Sequence, residues 1–336
     1  MDALLRRITY VAEPDTLTPI PWPDGLAPTV STSGHEKPPA ADVLVLTYTA
    51  AEAQALADVL TPGLASSAWT RYAEDWSKYE HQLTERSPAR DSKCLGLWAL
   101  TNIGSKTVVL FKSDLHLATD ASSLPIRQLW GQLIAAVKPS LILTTGTAGG
   151  IGAETQLGDV CVTNGAKFNC RDTFKTAPFA QQSYIGPAWS PGPRLQASGE
   201  LLAANASRLQ PVATRAPEIT TVIGEPGVET VDYFGFADAT DAYGIVAHDA
   251  YAHTEEMDDA VLPLALSTAH THSHEAADSA GLDIPWVSIR NASDPQVAHM
   301  ASLEAEKEWA EHIYERYGYW TTIGSAIACW AVIADA

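Results

Sequence analysis

Apolar residues come along this chain in short blocks separated by polar, Gly- and Pro-containing stretches, and the blocks read as alternating strands and helices. Val43-Leu44-Val45-Leu46 is a continuous aliphatic run, the pattern of a strand buried on both faces. Residues 51–60 have helical composition. Residues 95–100 and 107–111 read as two strands, with 102–105 as the turn between them. A helix over 126–137 is stopped by Pro139. Residues 141–145, 159–163, 220–223 and 286–289 read as further strands. A long helix is expected from Leu303 towards Tyr319, and the apolar stretch 323–333 reads as the buried end of a final helix. Strands alternating with helices predict an α/β fold of three layers, a mixed central sheet flanked by helices. No fixed-period repeat is visible, which excludes a solenoid.

Residues 1–40 differ from the rest. They hold Pro14, Pro19, Pro21, Pro23, Pro28, Pro38 and Pro39 and few periodic apolar positions, so they read as a Pro-rich N-terminal extension. An extended arm, a disordered lead-in and an arm wrapped on a neighbouring subunit all fit. Residues 41–336 read as one domain.

The charge balance narrows the function. Of 336 residues, 21 are Lys or Arg and 40 are Asp or Glu, a net charge of −19. That excess argues against nucleic acid and against anionic membrane surfaces as partners. No segment offers the ~18 apolar residues of a membrane span. The four cysteines are scattered without CxxC spacing, as expected of reduced core thiols in a cytoplasmic protein without a secretory signal.

Four segments carry candidate chemistry. Thr144-Thr145-Gly146-Thr147-Ala148-Gly149-Gly150-Ile151 leaves a buried strand, and its small residues either bring backbone N–H groups to an oxygen-rich ligand or simply form a tight strand exit. Thr254-Glu255-Glu256-Met257-Asp258-Asp259-Ala260 is either an acidic helix start or a set of carboxylates accepting from sugar hydroxyls, with Met257 on the sugar face. Ile289-Arg290-Asn291-Ala292-Ser293-Asp294 puts an acid at a strand end, where open α/β sheets bind ligands or where a helix is capped. Glu52, just past the first strand, reads on its own as a solvated helix carboxylate.

Together, these segments resemble the purine nucleoside phosphorylase/nucleosidase superfamily, and within it the methylthioadenosine/S-adenosylhomocysteine nucleosidases. The resemblance covers residues 42–336. It rests on 43–56 with Glu52, on Val109-Leu110-Phe111-Lys112-Ser113, on Thr145-Gly146-Thr147-Ala148-Gly149-Gly150 followed by Leu157-Gly158-Asp159-Val160, on Glu256-Met257-Asp258, and on Ser293-Asp294. It implies a nucleoside phosphorylase-like fold and cleavage of a purine N-glycosidic bond, with no organic cofactor and no metal. It further implies Asp294 as the acid that protonates the leaving base at N7, supported by Ser293, and Glu52 as the base acting on water. Asp258 would hold the ribose hydroxyls above Met257, with Glu256 a further polar contact. Thr147, Ala148 and Gly149 would border the base, and Phe236, rather than Phe234, would stack on it. A homodimer or higher homo-oligomer is expected on the same ground.

Charge distinguishes water from phosphate as the nucleophile. A phosphate site needs fixed cations, and neither Thr47-Tyr48-Thr49-Ala50-Ala51-Glu52 nor Leu143-Thr144-Thr145 contains one. Hydrolysis is therefore expected. The alternatives are a phosphate-dependent purine nucleoside phosphorylase and a catalytically silent nucleoside-binding protein. The chain also departs from the family pattern. Asp114-Leu115-His116 replaces a Gly-rich turn, and the usual ribose glutamate is Asp258. The long stretch 259–293 carries His270, His272 and His274, read as a solvated insertion rather than a metal site, and 173–217 reads as a lid or oligomer contact.

Overall fold

The computed structural model describes residues 17–31, 35–117, 119, 122–152, 155–210, 212–233, 253–272, 283–295 and 303–336. Among these described residues, thirteen strands join in a single open sheet. Its centre is β2 (Val43–Thr47), β6 (Leu141–Gly150) and β13 (Trp286–Pro295), all parallel, with β2 and β13 flanking the first half of β6. On the β2 side follow β5 (Lys106–Ser113), parallel to β2, then β4 (Gly96–Ile103), antiparallel, with β1 (Thr29–Val30) and β3 (Thr70–Tyr72) on its outer edge. On the other side β13 pairs with β7 (Val160–Thr163), which carries β10 (Ile219–Val222). The far end of β6 pairs with β12 (Thr254–Glu256), and the sheet continues through β11 (Val228–Val231), β8 (Gly165–Asn169) and β9 (Ser183–Ile185).

The aliphatic run 43–46 shows why the sheet is covered twice. Val43 and Val45 enter one core cluster; Leu44 and Leu46, pointing the other way, enter a second. The first is closed by α1 (Ala50–Leu60) and α4 (Leu303–Asp335). The second is closed by α2 (Pro125–Val137), through Leu129, Trp130 and Leu133, and by α3 (Val261–His272), through Leu262 and Leu264. The predicted three layers are therefore present. The free thiols Cys94, Cys161, Cys170 and Cys329 are buried. Among the described residues no helix is long and apolar enough to cross a membrane.

Several local expectations change. The turn expected over 102–105 is only Gly104-Ser105, because both strands run on and Gly104, at φ +57°, makes the reversal. The acidic segment after Thr254 starts as strand β12, not as a helix, because Gly149 and Gly150 of β6 supply an open pairing edge. The stretches 303–319 and 323–333 are one helix of 33 residues. Its polar Thr321 and Ser325 do not break it, because Asn291 of β13 bonds both, each at 2.7 Å. Residues 17–26 lie on this chain's own core: Leu17, Ile20, Trp22 and Leu26 pack against the α1/α4 cluster, and Trp22 stacks on Trp330 at 4.7 Å. Much of 173–217 likewise covers α4, where Leu195, Leu201 and Leu202 are buried and Arg194 pairs with Asp335 at 2.9 Å.

Candidate active site

The parallel strands β2, β6 and β13 end on the same side, and the candidate residues collect there. At the end of β2 the chain turns into α1 through a capping box: Thr49 is the N-cap and Glu52 the N3 residue. The sequence reading of Glu52 as a solvated carboxylate does not hold, since the side chain is buried. Its Oε2 accepts from Thr47 Oγ1 (2.9 Å), Tyr48 N (2.9 Å) and Thr49 N (2.8 Å). Its Oε1 accepts from Thr147 N (2.8 Å) and Thr147 Oγ1 (2.7 Å). Gly146, at φ +151°, is what lets β6 come this close; a Cβ there would overlap the Glu52 carboxyl group. Burial raises the Glu52 pKa, but Arg290 and the hydrogen bonds from Thr49 and Thr147 outweigh it and hold the group below its ordinary value. Glu52 is thus a fixed anion.

Asp294 has the opposite environment. A register shift in β13 between Ala292 and Asp294 leaves Ser293 as an extra residue and sets Asp294 abreast of Gly149. Ser293 Oγ donates to Asp294 Oδ1 at 2.7 Å and lies 3.3 Å from the Ala148 carbonyl. Burial pushes Asp294 up to about 6, against the lowering effect of the Ser293 hydroxyl. So Ser293, Asp294, Ala148 and Gly149 come together, and Thr147 connects them to Glu52.

The acidic segment forms the third wall. Glu256 and Asp258 are buried and Met257 is half-buried. Arg290, on β13, reaches across: its Nε donates to Asp259 Oδ2 at 2.8 Å, its Nη2 bonds Asp259 Oδ1 and lies 3.2 Å from Glu256 Oε2, and its Nη1 donates to the Thr147 carbonyl at 3.1 Å. The guanidinium also lies over the Tyr48 ring, 5.1 Å from its centroid. Glu256 is pushed up by burial and by Asp259, with Arg290 opposing. The Asp258 backbone N–H donates to Glu256 Oε2 at 2.5 Å, while its carboxyl group is bonded to Leu117 N and His116. Among the described residues no group of three or more His, Cys, Asp or Glu side chains could hold a metal ion. Phe236, Phe234 and His274 lie outside the described residues, as do the side chains of His270 and His272.

Two residues escaped the sequence reading. Arg290 had a signal: a cation inside the largely apolar run 286–292 needs buried acidic partners, and the acidic segment 255–259 supplies Asp259 and Glu256. Tyr314 had none. It sits in the middle of α4, yet its hydroxyl reaches Thr49 Oγ1 at 3.2 Å. Burial first, then the charge of Glu52, raise its pKa against hydrogen bonds with Thr49 and Thr147.

No protein-family model and no curated protein matches the sequence. Solved structures do. The methylthioadenosine/S-adenosylhomocysteine nucleosidase of Neisseria meningitidis, in complex with methylthio-immucillin-A, aligns at 15% identity over 88% of this chain and 99% of its own, with a TM-score of 0.51. A putative nucleosidase of the same kind from Borrelia burgdorferi, bound to adenine, aligns at 14% identity over 87% and 98%, also at 0.51. The S-adenosylhomocysteine nucleosidase of Streptococcus pyogenes aligns at 14% identity over 88% and 97%, at 0.50. The chain has the fold of these nucleosidases, a mixed sheet between helices.

Proposed function

We propose that this protein hydrolyses the N-glycosidic bond of a purine nucleoside, or of a 5′-modified one, to free base and sugar. The observation that carries this reading is a pair of buried carboxyl groups in contrasting surroundings, Glu52 ringed by five hydrogen-bond donors and Asp294 bonded by the Ser293 hydroxyl. Asp294 keeps a proton to about pH 6, while Glu52 is held ionised across the strand ends. Departure of a purine leaves an oxocarbenium-like sugar, which needs a proton on the base and an anion near the sugar. In this reading Asp294 gives its proton to N7 as the C1′–N9 bond breaks. Water adds to C1′, and its proton passes to Glu52. Two of the five donors on Glu52 are hydroxyls, Thr47 and Thr147, and a hydroxyl can turn its hydrogen away to admit water. Glu52 then releases that proton to solvent, and Asp294 regains one from it. Thr147, Ala148, Gly149 and Phe236 are proposed to border the base, and Glu256, Met257, Asp258 and Ser293 to complete the sugar side and support the acid.

Water is favoured over phosphate by local charge. Glu52 is a buried anion at the strand ends, and the guanidinium of Arg290 is taken up by Asp259, Glu256 and the Thr147 carbonyl. A phosphate dianion would meet the negative charge of Glu52 with the Arg290 guanidinium already committed to buried acids. The test is base release from adenosine, inosine, guanosine, methylthioadenosine and S-adenosylhomocysteine, with and without phosphate. The expected result is free base at equal rates in both. Release only with phosphate would make the protein a phosphorylase, and binding without release a silent nucleoside-binding protein.

Tyr314 supplies a second check. Its hydroxyl braces the Thr49 and Thr147 collar of Glu52, so Tyr314→Phe should lower kcat by about fivefold, the worth of a hydrogen bond of ~1 kcal/mol, with Tm nearly unchanged. Steady-state rates on whichever nucleoside is cleaved measure it; an unchanged kcat would remove Tyr314 from the site.

A further inference from the structure

The loop after β5 departs from the Gly-rich turn of the resembled family, and in the structure it lies directly on the carboxylate expected to hold the sugar. Asp258 is one methylene shorter than the glutamate of that pattern, and its side chain is only 3% exposed. Both of its oxygens are engaged by the loop: Leu117 N donates to Oδ1 at 2.9 Å, and His116 Nε2 lies 2.9 Å from Oδ2. The His116 side chain is 26% exposed. A ligand arriving here therefore meets the imidazole before the carboxylate. The ring is held on a second side by Tyr48, edge-on at 6.2 Å between centroids, and Tyr48 in turn lies under Arg290. His116 is thus fixed to the same cluster that carries Glu52 and Glu256.

We propose that His116 is the residue that contacts the sugar hydroxyls of the substrate, and that Asp258 is a positioning residue acting through it. The inference rests on the nucleoside reading above. A carboxylate accepting from one imidazole nitrogen fixes the orientation of the ring, as outer carboxylates do for metal-bound histidines. The retracted acid and the advanced imidazole together occupy the place where a longer acid alone would reach the sugar.

Binding tests this without turnover. C-nucleosides have a carbon–carbon glycosidic bond that is not hydrolysed, so the C-nucleoside counterparts of adenosine, inosine and guanosine can be compared with adenine, hypoxanthine and guanine by calorimetric titration. The ratio of nucleoside to base affinity isolates the sugar. In the wild type it should be about tenfold or more for the preferred base, the scale of one or two hydrogen bonds. His116→Ala should bring that ratio close to one while leaving affinity for the free base intact, which also reports a folded site. His116→Gln keeps an amide donor for Asp258 and should fall between. Asp258→Asn should reduce the ratio in the wild-type background and have no further effect in the His116→Ala background. An unchanged ratio in His116→Ala overturns the proposal. A further loss on adding Asp258→Asn would mean that Asp258 touches the sugar itself, and overturns it too. A wild type that binds neither bases nor C-nucleosides would bring down the nucleoside reading, and this inference with it.

Discussion

Replacing Asp294 by asparagine lowers kcat for base release by about 10²- to 10⁴-fold and moves KM little, because the missing proton is needed only as the bond breaks. The isosteric amide keeps the contact with Ser293 but has no acidic proton for N7. The same group sets the pH dependence. Wild-type kcat/KM should fall about tenfold per pH unit above pH 6, where Asp294 loses its proton, and the variant's residual activity should lack that limb. Stability moves the other way. The folded carboxyl holds its proton to about 6, and an unfolded aspartate only to about 3.9. Between these values the native state binds the extra proton, so its stability falls as pH rises from about 4 to 6. The neutral amide carries no such cost. The Asp294→Asn variant should therefore melt above the wild type at pH 7.5, and the advantage should vanish below pH 4. Melting curves at three pH values and one rate measurement check both halves. Unchanged turnover would put the acid elsewhere.

The second large effect is on folding. The Arg290 side chain is 2% exposed, and those of its partners Asp259 and Glu256 are 0% and 3% exposed. Arg290→Met leaves two buried acids without their cation, a loss of about 3–5 kcal/mol. For a chain of this length that is a Tm lower by about 5 °C at neutral pH. Arg290→Lys should recover little of it, since an ammonium cannot reproduce the forked contact with Asp259 while also reaching the Thr147 carbonyl. Thermal denaturation of both variants decides this. A lysine variant as stable as wild type would show that only the charge, and not the fork, holds the cluster.

How much of this was readable in the sequence depends on the range of the interaction. The central strands were, because a run such as Val43-Leu44-Val45-Leu46 carries its double burial in its own composition. Helices α1 and α2 likewise fell where composition and Pro139 placed them. Short strands such as β8, β11 and β12 were not readable, since only partners far along the chain make them strands: Glu255 pairs with Gly149, and Val228 with Ala166. At the site, Glu52, Thr147, Ser293 and Asp294 could be found from motifs that lie within a few residues. Their states could not. The pKa of Glu52 falls and that of Asp294 rises because Arg290 and the Thr49 and Thr147 hydrogen bonds outweigh burial at the first, whereas burial outweighs the Ser293 hydroxyl at the second. The partnership of His116 with Asp258 spans more than a hundred residues and leaves no local trace.

The stacking of Trp22 on Trp330 bears on how the molecule folds. The Trp330 indole N–H also donates to the Leu26 carbonyl at 2.7 Å, a contact between residues 304 positions apart. Closing a loop of that length carries its entropic penalty before any local structure rewards it. The N-terminal segment therefore docks late, after α4 has laid its apolar face on α1, β6 and β13 and created the surface that Trp22 needs. Refolding followed by tryptophan fluorescence should show this as a slow final phase, lost in Trp22→Ala, after the main recovery of helical circular dichroism.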